Sequence, residues 1–488
     1  MANLKGLAKD TAIYGLSSIV GRFLNYLLVP LYTNIIKAES GGYGIITNIY
    51  AYTAFFLVIL TFGMETTFFR FANKDEENPD TVFSTSFGIV SFLTVLFMAG
   101  VFIFINPISN IMGENKEYIL IMAVVVGLDA IQAIPFSLLR YQKRPIKFAC
   151  LKMLFIGLNI GLNLLYFVVL EGRDILYVFV LNLICTGLIT FFFIPEFLSI
   201  KWKFDFALLK RMLKYSWPIL LLGIAGILNQ TFDKQTFPII YTRLGGYTQT
   251  EANIQLGIYG ACVKIAMIMA MITQAFRYAY EPIVFAESKD KDSKEYYASA
   301  MKYFIIFTLF AFLCVMGYID ILKNIIESKY HEGLKSIPIV MVAEIMMGIY
   351  FNLSFWYKLI DKTIWGAWFS LAGCSALIAV NIIFVPEYGY MACAWGGVVG
   401  YGIAMILSYI IGQKKNPIKY DLKSIAIYTL LTAILFTIMY ILPDYVESTV
   451  LRLVINTILI LAFAGHIIYH DLPVKRIPVL GKIFNKKQ

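Results

Sequence analysis

The sequence predicts an all-α protein that crosses a membrane fourteen times. Fourteen apolar stretches, each close to the ~20 residues that a bilayer core requires, follow one another almost without interruption. The basic residues alternate between the loops: counted from the N-terminal segment, odd-numbered loops carry 28 of the 41 Lys and Arg residues and even-numbered loops carry 7. By the positive-inside rule, this alternation predicts that both termini are cytoplasmic.

Composition supports a membrane protein and argues against a soluble one. Hydrophobic residues make up 59% of the chain and charged residues 15%, whereas about a quarter of the residues in a soluble domain are charged. The net charge of +10 is concentrated in the predicted cytoplasmic loops, where it faces anionic lipid headgroups. We therefore expect the lipid bilayer, and not nucleic acid, to be the partner of this charge.

The limits of the apolar stretches place the fourteen spans, which are numbered in chain order. Spans 1 to 6 lie at 12–36, 43–68, 82–106, 117–140, 147–170 and 175–195; spans 7 to 12 at 215–241, 255–280, 298–320, 334–358, 363–384 and 389–412; spans 13 and 14 at 423–442 and 448–470. Span 1 is longer than the ~7–15 residues of a signal-peptide core, and no small-residue cleavage site follows it. We expect it to remain as a helix.

A faint internal repeat relates spans 1–6, the first half, to spans 7–12, the second half. Pro30 matches Pro238, and the offset then grows slowly along the chain. The later matches are Tyr43-Gly44 with Tyr259-Gly260, Glu65 with Glu281, Arg140 with Lys358, and Asn163 with Asn381. Six spans per unit give both units the same direction. Parallel repeats of this kind hold substrate between their halves in secondary transporters.

The repeat predicts how the chain divides. The expected parts are a six-helix bundle at 1–200, a linker at 201–214, a second six-helix bundle at 215–412, spans 13 and 14 within 413–470, and a basic cytoplasmic tail at 471–488. In the linker, Phe204, Leu208 and Met212 recur on one helix face, which is typical of a helix that lies on the cytoplasmic membrane surface. It is either a simple connection or an element that couples two moving halves.

Ionisable side chains deep in the spans are the candidate functional residues. Each costs at least ~2.5–3.5 kcal/mol on insertion scales, and such residues usually face a protein interior or an aqueous cavity. Arg22 lies near the middle of span 1, with Asn25 on the same face. The other deep residues are Asp129 in span 4, Asp233 and Lys234 in span 7, Lys264 in span 8, and Glu344 in span 10.

Two interpretations of these charges remain open. In the first, Arg22, Lys234 and Lys264 form buried salt bridges with the carboxylates and only order the helices. In the second, they line a cationic cavity for an anionic group such as phosphate. Asp129, Asp233 and Glu344 would then serve as counter-charges, or as proton or sodium sites for coupling. For four residues nearer the cytoplasmic surface we expect a structural or snorkelling role: Glu65, Lys152, Arg277 and Glu281.

Cysteine and histidine patterns argue against a metal centre or a cofactor. The six cysteines show no pairing or metal-ligand spacing, and there are only three histidines. A membrane-embedded glycan polymerase would be expected to have a large basic outer loop, and a membrane acyltransferase an intramembrane histidine at its site. Neither pattern is evident in the sequence. We therefore expect a protein that is not an enzyme.

Several short motifs occur in both halves of the chain. In the first half they are Gly21-Arg22-Phe23, Pro30-Leu31-Tyr32-Thr33-Asn34 and Tyr43-Gly44; in the second half they are Asp233-Lys234, Leu256-Gly257-Ile258-Tyr259-Gly260-Ala261, Lys264-Ile265-Ala266 and Pro282. These motifs resemble those of the bacterial polysaccharide flippases, the Wzx-type branch of the multidrug/oligosaccharidyl-lipid/polysaccharide (MOP) exporter superfamily. The resemblance extends over the whole chain in length, number of spans and topology.

The resemblance implies a MATE-like fold of two six-helix bundles with two trailing helices, in the bacterial cytoplasmic membrane. It also implies alternating access that carries an undecaprenyl-diphosphate-linked oligosaccharide to the outer leaflet, with a polysaccharide polymerase and a chain-length regulator as possible partners. Arg22, Asn25, Lys234 and Lys264 would line the substrate cavity. The alternatives within the superfamily are a cation-coupled multidrug exporter and a lipid II flippase; cations in mid-membrane disfavour the exporter.

Overall fold

The computed structural model describes residues 28–73, 77–199, 203–286, 293–359, 362 and 364–471. Within these residues the regular structure is helical, without strands. Twelve helices are long and apolar enough to cross a membrane, and a shorter apolar helix, Leu176–Phe192, occupies the position of span 6. Span 1 enters the described residues only at its end, as Leu28–Ile35. The predicted all-α, multi-pass membrane architecture is confirmed.

The observed helices follow the predicted order, and polar residues begin several of them. Spans 2 to 6 are Gly42–Thr61 with Met64–Ala72, Pro79–Ile103, Lys116–Tyr141, Pro145–Leu164 and Leu176–Phe192. Spans 7 to 12 are Phe206–Arg243, Gln249–Ala286, Ser293–Gly317, Ile337–Leu353, Ile364–Tyr388 and Tyr390–Lys415; spans 13 and 14 are Leu422–Tyr445 and Thr449–His470. Side chains of Asn78, Asn115 and Asp205 cap spans 3, 4 and 7 by accepting hydrogen bonds from backbone N–H groups.

Span 2 is broken near its cytoplasmic end. Phe62 and Gly63 both adopt the left-handed conformation, with φ of 49° and 67°, so the helical ladder stops and a second helix begins at Met64. A Cβ at Gly63 would lie 3.0 Å from Ile219 Cγ2 of span 7. Positive φ and this close contact together explain why glycine occupies the break.

The first turns of span 7 belong to the packing of the first half. Phe206–Arg243 is one continuous helix, so no helix break separates the described part of the predicted linker from span 7. Leu208 and Met212 are buried in an apolar cluster with Phe68 and Val82 of spans 2 and 3. This stripe therefore packs against protein, whereas the sequence pattern predicted contact with the membrane surface; an apolar helix face satisfies either partner.

Pro238 opens a gap in the hydrogen bonds of span 7. Proline has no backbone N–H, so the carbonyl of Lys234, four residues earlier, loses its usual helical partner. The Asn48 side-chain amide of span 2 donates to that carbonyl at 2.8 Å, and the Tyr52 hydroxyl donates to the carbonyl of Gln235 at 3.0 Å. Span 2 of the first half is thereby attached to mid-span 7, beside the deep charges.

Spans 13 and 14 attach to span 9 near both of its ends. At one end, Arg452 Nε of span 14 lies 2.9 Å from Asp320 Oδ2. At the other, Lys302 Nζ of span 9 lies 2.5 Å from Asp471 Oδ1 and 3.0 Å from Asp421 Oδ2. The two trailing helices are thus held to the second half by ionic contacts as well as by apolar packing.

Candidate functional site

The Lys234 ammonium pairs with the carboxylate of the preceding residue. Its Nζ lies 3.0 Å from Asp233 Oδ1 and 3.1 Å from Asp233 Oδ2, and it also donates to the Gln230 carbonyl at 3.0 Å. Both charges therefore belong to one helix. An ion pair within span 7 does not join two helices, so it does not fulfil the helix-ordering role that was one interpretation of the sequence.

Tyr259 of span 8 connects this ion pair to the neighbouring helix. Its hydroxyl donates to Asp233 Oδ2 at 2.9 Å, and its ring centroid lies 5.6 Å from Lys234 Nζ. The Tyr259 side chain is 3% exposed, so this hydrogen bond is shielded from water. A carboxylate held by a hydroxyl and an ammonium in a buried place is fixed in position. In the sequence, Tyr259 stands out only as a repeat match and as part of the motif at 256–261, and neither pattern indicates a bond to Asp233.

Lys264 is the second cation of the cluster, and no described residue provides a counter-charge for it. Its ammonium is close enough to Lys234 for the two positive charges to repel each other. In the described part of the chain, no hydrogen bond or ion pair involves Lys264. A mid-membrane ammonium in this condition is a ready partner for an anion, because the desolvation of the charge is otherwise uncompensated.

Oxygen atoms without donors lie on the other side of the ion pair. Glu344 of span 10 is close enough to Asp233 and Lys234 to feel both charges, and its buried Oε2 has no hydrogen-bond partner among the residues that the structure describes. The buried Oδ1 of Asn229, one helical turn before Asp233, is also without one. The Tyr401 hydroxyl of span 12 donates to the Asn229 carbonyl at 3.4 Å. The Glu344 carboxylate can bind a proton, and the Glu344 and Asn229 oxygens can together bind a monovalent cation.

Asp129 lies apart from this cluster, inside the first half. Its nearest opposite charge is Lys152 of span 5, whose ammonium lies 4.0 Å from the centre of the Phe136 ring. Both line a cavity of about 370 Å³ between spans 2, 4, 5 and 6. Its polar lining residues are Glu65, Asp129, Gln132, Arg140 and Lys152. Asp129 is thus positioned as a counter-charge for Lys152, for which the sequence pattern favoured a structural or snorkelling role.

The remaining predicted residues divide into those described and those outside the description. Arg22 and Asn25 lie outside the described residues, as does the side chain of Glu281, and their roles stay predictions. Glu65 pairs with Arg140 at 3.2 Å, and the Arg277 guanidinium lies 4.6 Å from the Phe351 ring centre. The structure therefore brings together Asp233, Lys234, Lys264 and Glu344 and separates Asp129 from them.

The two halves meet tightly at the end of the molecule that the charge pattern places outside. A Cβ at Gly44 of span 2 would lie 1.9 Å from the Asn253 carbonyl oxygen of span 8, so the helices touch backbone to backbone. Nearby, the Tyr330 hydroxyl donates to the Ile36 carbonyl at 2.8 Å, and Lys329 pairs with Glu39 at 2.6 Å. This end is closed in the structure.

In the part of the chain that the structure describes, no group of three or more His, Cys, Asp or Glu side chains is arranged to hold a metal ion. All six cysteines are free, and only Cys150 is exposed. What the charged cluster can do is bind an anion at Lys264 and Lys234 and a proton or monovalent cation at Glu344 and Asp233.

The sequence matches one family model, described as polysaccharide biosynthesis protein, over residues 7–284. This match covers more than half of the chain. No curated protein sequence matches it. The matched region includes the predicted first half together with spans 7 and 8, and therefore also Asp233, Lys234 and Lys264.

Solved structures resemble the fold over most of its length. The lipid II flippase MurJ in an inward closed conformation aligns with a TM-score of 0.74 at 16% identity, covering 93% of this chain and 98% of that one. A multidrug resistance MATE family transporter of the MOP superfamily aligns at 0.63 in its inward-facing conformation, with 16% identity and coverage of 83% and 94%. An outward-facing MATE conformation aligns at 0.55, with 15% identity and coverage of 83% and 95%. The predicted MATE-like fold class is confirmed.

Proposed function

We propose that this chain, which belongs to the polysaccharide biosynthesis protein family, is a flippase of the MOP superfamily. It carries an undecaprenyl-diphosphate-linked oligosaccharide from the inner to the outer leaflet of the bacterial cytoplasmic membrane by alternating access. Both termini lie in the cytoplasm in this proposal. The chain moves its substrate without catalysing a chemical step.

The unpaired ammonium of Lys264 beside Lys234 is the observation that carries this proposal. Two lysines in mid-membrane, one of them without a partner in the described residues, attract a group with several negative oxygens. A diphosphate meets this requirement, because its oxygens accept charge-assisted hydrogen bonds from more than one donor. Arg22 and Asn25 would complete the cavity from span 1. The glycan would occupy the aqueous space between the halves, and the lipid tail would stay in the bilayer.

The closed outer end supports alternating access as the mode of transport. With the outer end sealed at Gly44 and Tyr330, substrate would enter the site from the cytoplasmic side. The higher TM-score against the inward-facing MATE conformation than against the outward-facing one, 0.63 against 0.55, agrees with this reading. Release to the outer leaflet then requires spans 2 and 8 to part at their outer ends.

Coupling to a proton or sodium ion is part of the proposal. Glu344 Oε2 and Asn229 Oδ1 are buried acceptors without donors, beside the Asp233 carboxylate, which gives a cation oxygen ligands or gives a proton a carboxylate. Asp129 would act separately, as the counter-charge of Lys152 in the first half. A polysaccharide polymerase and a chain-length regulator are the proposed partners that consume the flipped product.

Two other substrates within the superfamily are the competing proposals. The MurJ likeness, at a TM-score of 0.74, favours lipid II, which also presents a diphosphate to the site. The MATE likeness favours a cationic drug, but two lysines in the cluster repel a cation. Lipid-linked oligosaccharide agrees with the family match and with the charge of the cluster.

The test is a rescue experiment in cells that lack the protein. Surface glycan and cytoplasmic-leaflet lipid-linked oligosaccharide are measured together after expression of wild type, Lys264→Met, Arg22→Ala, Arg22→Lys or the exposed control Lys414→Met. We expect accumulated oligosaccharide to be cleared by wild type and Lys414→Met, and not by Lys264→Met or Arg22→Ala. Normal glycan without accumulation in the deletion strain would contradict the proposal and favour the drug exporter; accumulated lipid II would favour the MurJ-like substrate.

A further inference from the structure

A buried carboxyl group lies in the closed outer contact between the two halves. Glu114, in the loop between spans 3 and 4, is 5% exposed. The loop is folded onto itself, since the Ser109 hydroxyl donates to the Glu114 carbonyl at 2.6 Å. Residue 114 lies outside the membrane-spanning helices, at the end of the molecule where spans 2 and 8 touch. An outer loop of a membrane protein is exposed to water, so burial of a carboxyl there requires an explanation.

The loop packs against the beginning of span 8 in the second half. The Gln249 amide lies 3.4 Å from the Met112 carbonyl and 3.5 Å from Glu114 Oε1. A Cβ at Gly113, whose φ is +71°, would lie 2.5 Å from the Gln249 side chain. Asn253 is 5% exposed; it hydrogen-bonds Glu114 and its carbonyl touches Gly44. Glu114 is therefore buried by the same contact that closes the outer end.

The side chains that hydrogen-bond Glu114 are neutral. Span 8 contributes the amides of Gln249 and Asn253, while Glu251 in its first turn caps its own helix by accepting from Thr248. Span 4 contributes Tyr118, which is close enough to feel the charge of Glu114. Charged side chains of the surrounding outer loops include Glu39, which pairs with Lys329, and Glu117 and Asp174, which add negative charge near Tyr118. The basic residues Lys116 and Arg173 are exposed. In the described residues no Lys or Arg pairs with Glu114.

A carboxyl group in this setting is held best in its neutral form. Burial raises the pKa of Glu114 to about 7, although hydrogen bonds from Asn253 and Gln249 act in the opposite direction. Neutral carboxylic acid can donate to an amide oxygen and accept from an amide N–H, so both neighbours can remain bonded. The ionised form must instead remain buried without a counter-ion.

We propose that Glu114 is a proton-operated latch of the outer gate: its protonated carboxyl holds the loop 113–115 against span 8 while the outer end is closed, and loss of the proton to outer water favours opening. The inference rests on the proposed alternating access, because it requires an open state in which Glu114 is solvated. It assigns to a loop, remote from the charged cluster, the sensing of the proton concentration outside.

The sign of the pH dependence follows from linkage. The closed state binds the proton more tightly than an open state whose Glu114 carboxyl is solvated, with an ordinary pKa near ~4.3. Between about that pH and 7, the closed-to-open ratio therefore falls about tenfold for each unit of rising pH. Above 7 both states are ionised and the ratio no longer changes. Acid outside thus keeps the outer end closed.

The test measures the outer gate directly and needs no substrate. Spin labels are placed at the exposed residues Arg173 and Tyr388, one in each half, in a Cys150→Ser background that removes the exposed cysteine. Distances are recorded by pulsed electron resonance in lipid nanodiscs from pH 4.5 to 8. We expect the long-distance, open population to grow with rising pH and to level off near pH 7.

Variants identify the group that titrates. Glu114→Gln keeps the shape and the hydrogen bonds but has no proton to lose, so its distances should stay closed at every pH. Glu117→Gln, an exposed carboxylate in the next turn, should respond as the parent does. Asn253→Asp places a second carboxylate beside Glu114, so the pair shares a proton and the transition should move to higher pH. This variant also provides a test if Glu114→Gln does not fold.

Two results would overturn the latch: distances in the parent that do not change with pH, or an unchanged response in Glu114→Gln. Failure of the flippase proposal is a separate result. It would show as normal glycan in the deletion strain, whether or not the distances respond to pH.

Discussion

Lys234 and Lys264 share one charged cluster, yet among the described residues only Lys234 of the two has a carboxylate partner. The difference comes from sequence position: Asp233 precedes Lys234 on span 7 and its carboxylate is 3.0 Å from that ammonium, whereas the charge that acts on Lys264 of span 8 is the like charge of Lys234. The two lysines therefore differ in what binding an anion requires. Lys234 must leave Asp233 or share it, while Lys264 has no ion-pair partner to leave among the described residues.

Lys264→Met should abolish transport and at the same time stabilise the protein. Removing an ammonium that has no ion-pair partner among the described residues relieves about 2.5–3.5 kcal/mol of insertion cost, while the anion site loses a donor. We expect flipping to fall at least tenfold and the melting temperature to rise. Both are measured on purified protein, by flipping of lipid-linked oligosaccharide in proteoliposomes and by thermal unfolding. Full activity in Lys264→Met would mean that Lys264 does not take part in substrate binding.

Tyr259→Phe should destabilise the protein more than Tyr390→Phe. The Tyr259 hydroxyl serves a buried carboxylate, and such bonds contribute about 1.5–3 kcal/mol; the Tyr390 hydroxyl donates to the neutral Glu332 carbonyl at 3.2 Å, which is worth about 0.5–1.5 kcal/mol. The rings stack on each other, so the pair is well matched. Chemical unfolding in detergent measures both. Equal losses would mean that Asp233 does not depend on Tyr259.

Asn48→Ala should destabilise the protein when it is the only substitution. In a protein that already carries Pro238→Ala, the same substitution should have little effect on stability. The single variant leaves the Lys234 carbonyl without its 2.8 Å donor, which costs about 1–3 kcal/mol for a buried group. Alanine at 238 restores a backbone N–H that can donate to that carbonyl within the helix. A double-mutant cycle on the free energy of unfolding measures the coupling. Additive losses would contradict the assignment of Asn48 as the replacement donor.

Gly44→Ala should hold the outer end open. The added Cβ would lie 1.9 Å from the Asn253 carbonyl oxygen, so the backbones of spans 2 and 8 must separate. We expect a cysteine at Thr47 to react with a membrane-impermeant thiol reagent from outside at least tenfold faster in this variant. Gly226→Ala is the control, because nothing lies within 4 Å of its Cβ. Unchanged reactivity in Gly44→Ala would mean that this contact does not seal the gate.

Lys329→Ala provides a contrast on the same surface. Its ion pair with Glu39 joins loops of the two halves, but both side chains are more than half exposed, and solvent screens such pairs. We expect wild-type transport and wild-type thiol reactivity at position 47. A large effect would mean that the outer end is held by surface charge and not by the packing of spans 2 and 8.

The positions of the spans and of their deep charges could be predicted from the sequence, because bilayer thickness sets helix length and insertion cost marks each buried charge. The partners of those charges could not. Asp233, Lys234 and Glu344 come together because spans 8 and 12 each pack against both span 7 and span 10. Asp129 is separated from them because span 4 faces span 5 inside the first half.

Two features of span geometry were beyond the reach of the sequence pattern. Phe62 in left-handed conformation carries no sequence signal, since phenylalanine rarely adopts positive φ. The helix face that carries Leu208 and Met212 packs against protein, although its sequence pattern predicts a helix on the membrane surface. Amphipathicity does not distinguish lipid from protein as the apolar partner. The position of Arg22 relative to the cluster, outside the described residues, stays a prediction.

The burial of Leu208 and Met212 in the first half has a consequence for dividing the gene. A protein expressed as two fragments should reassemble when the cut falls at 200–202. The helix Phe206–Arg243 then stays whole in the second fragment, and its first turns can dock on the apolar cluster of the first fragment. A cut after Lys214 would leave those turns on the wrong fragment. The two fragments are expressed from two plasmids and transport is measured for each cut. Activity for the cut at 200–202 and inactivity for the cut after Lys214 would mean that the first turns of span 7 hold the two halves together.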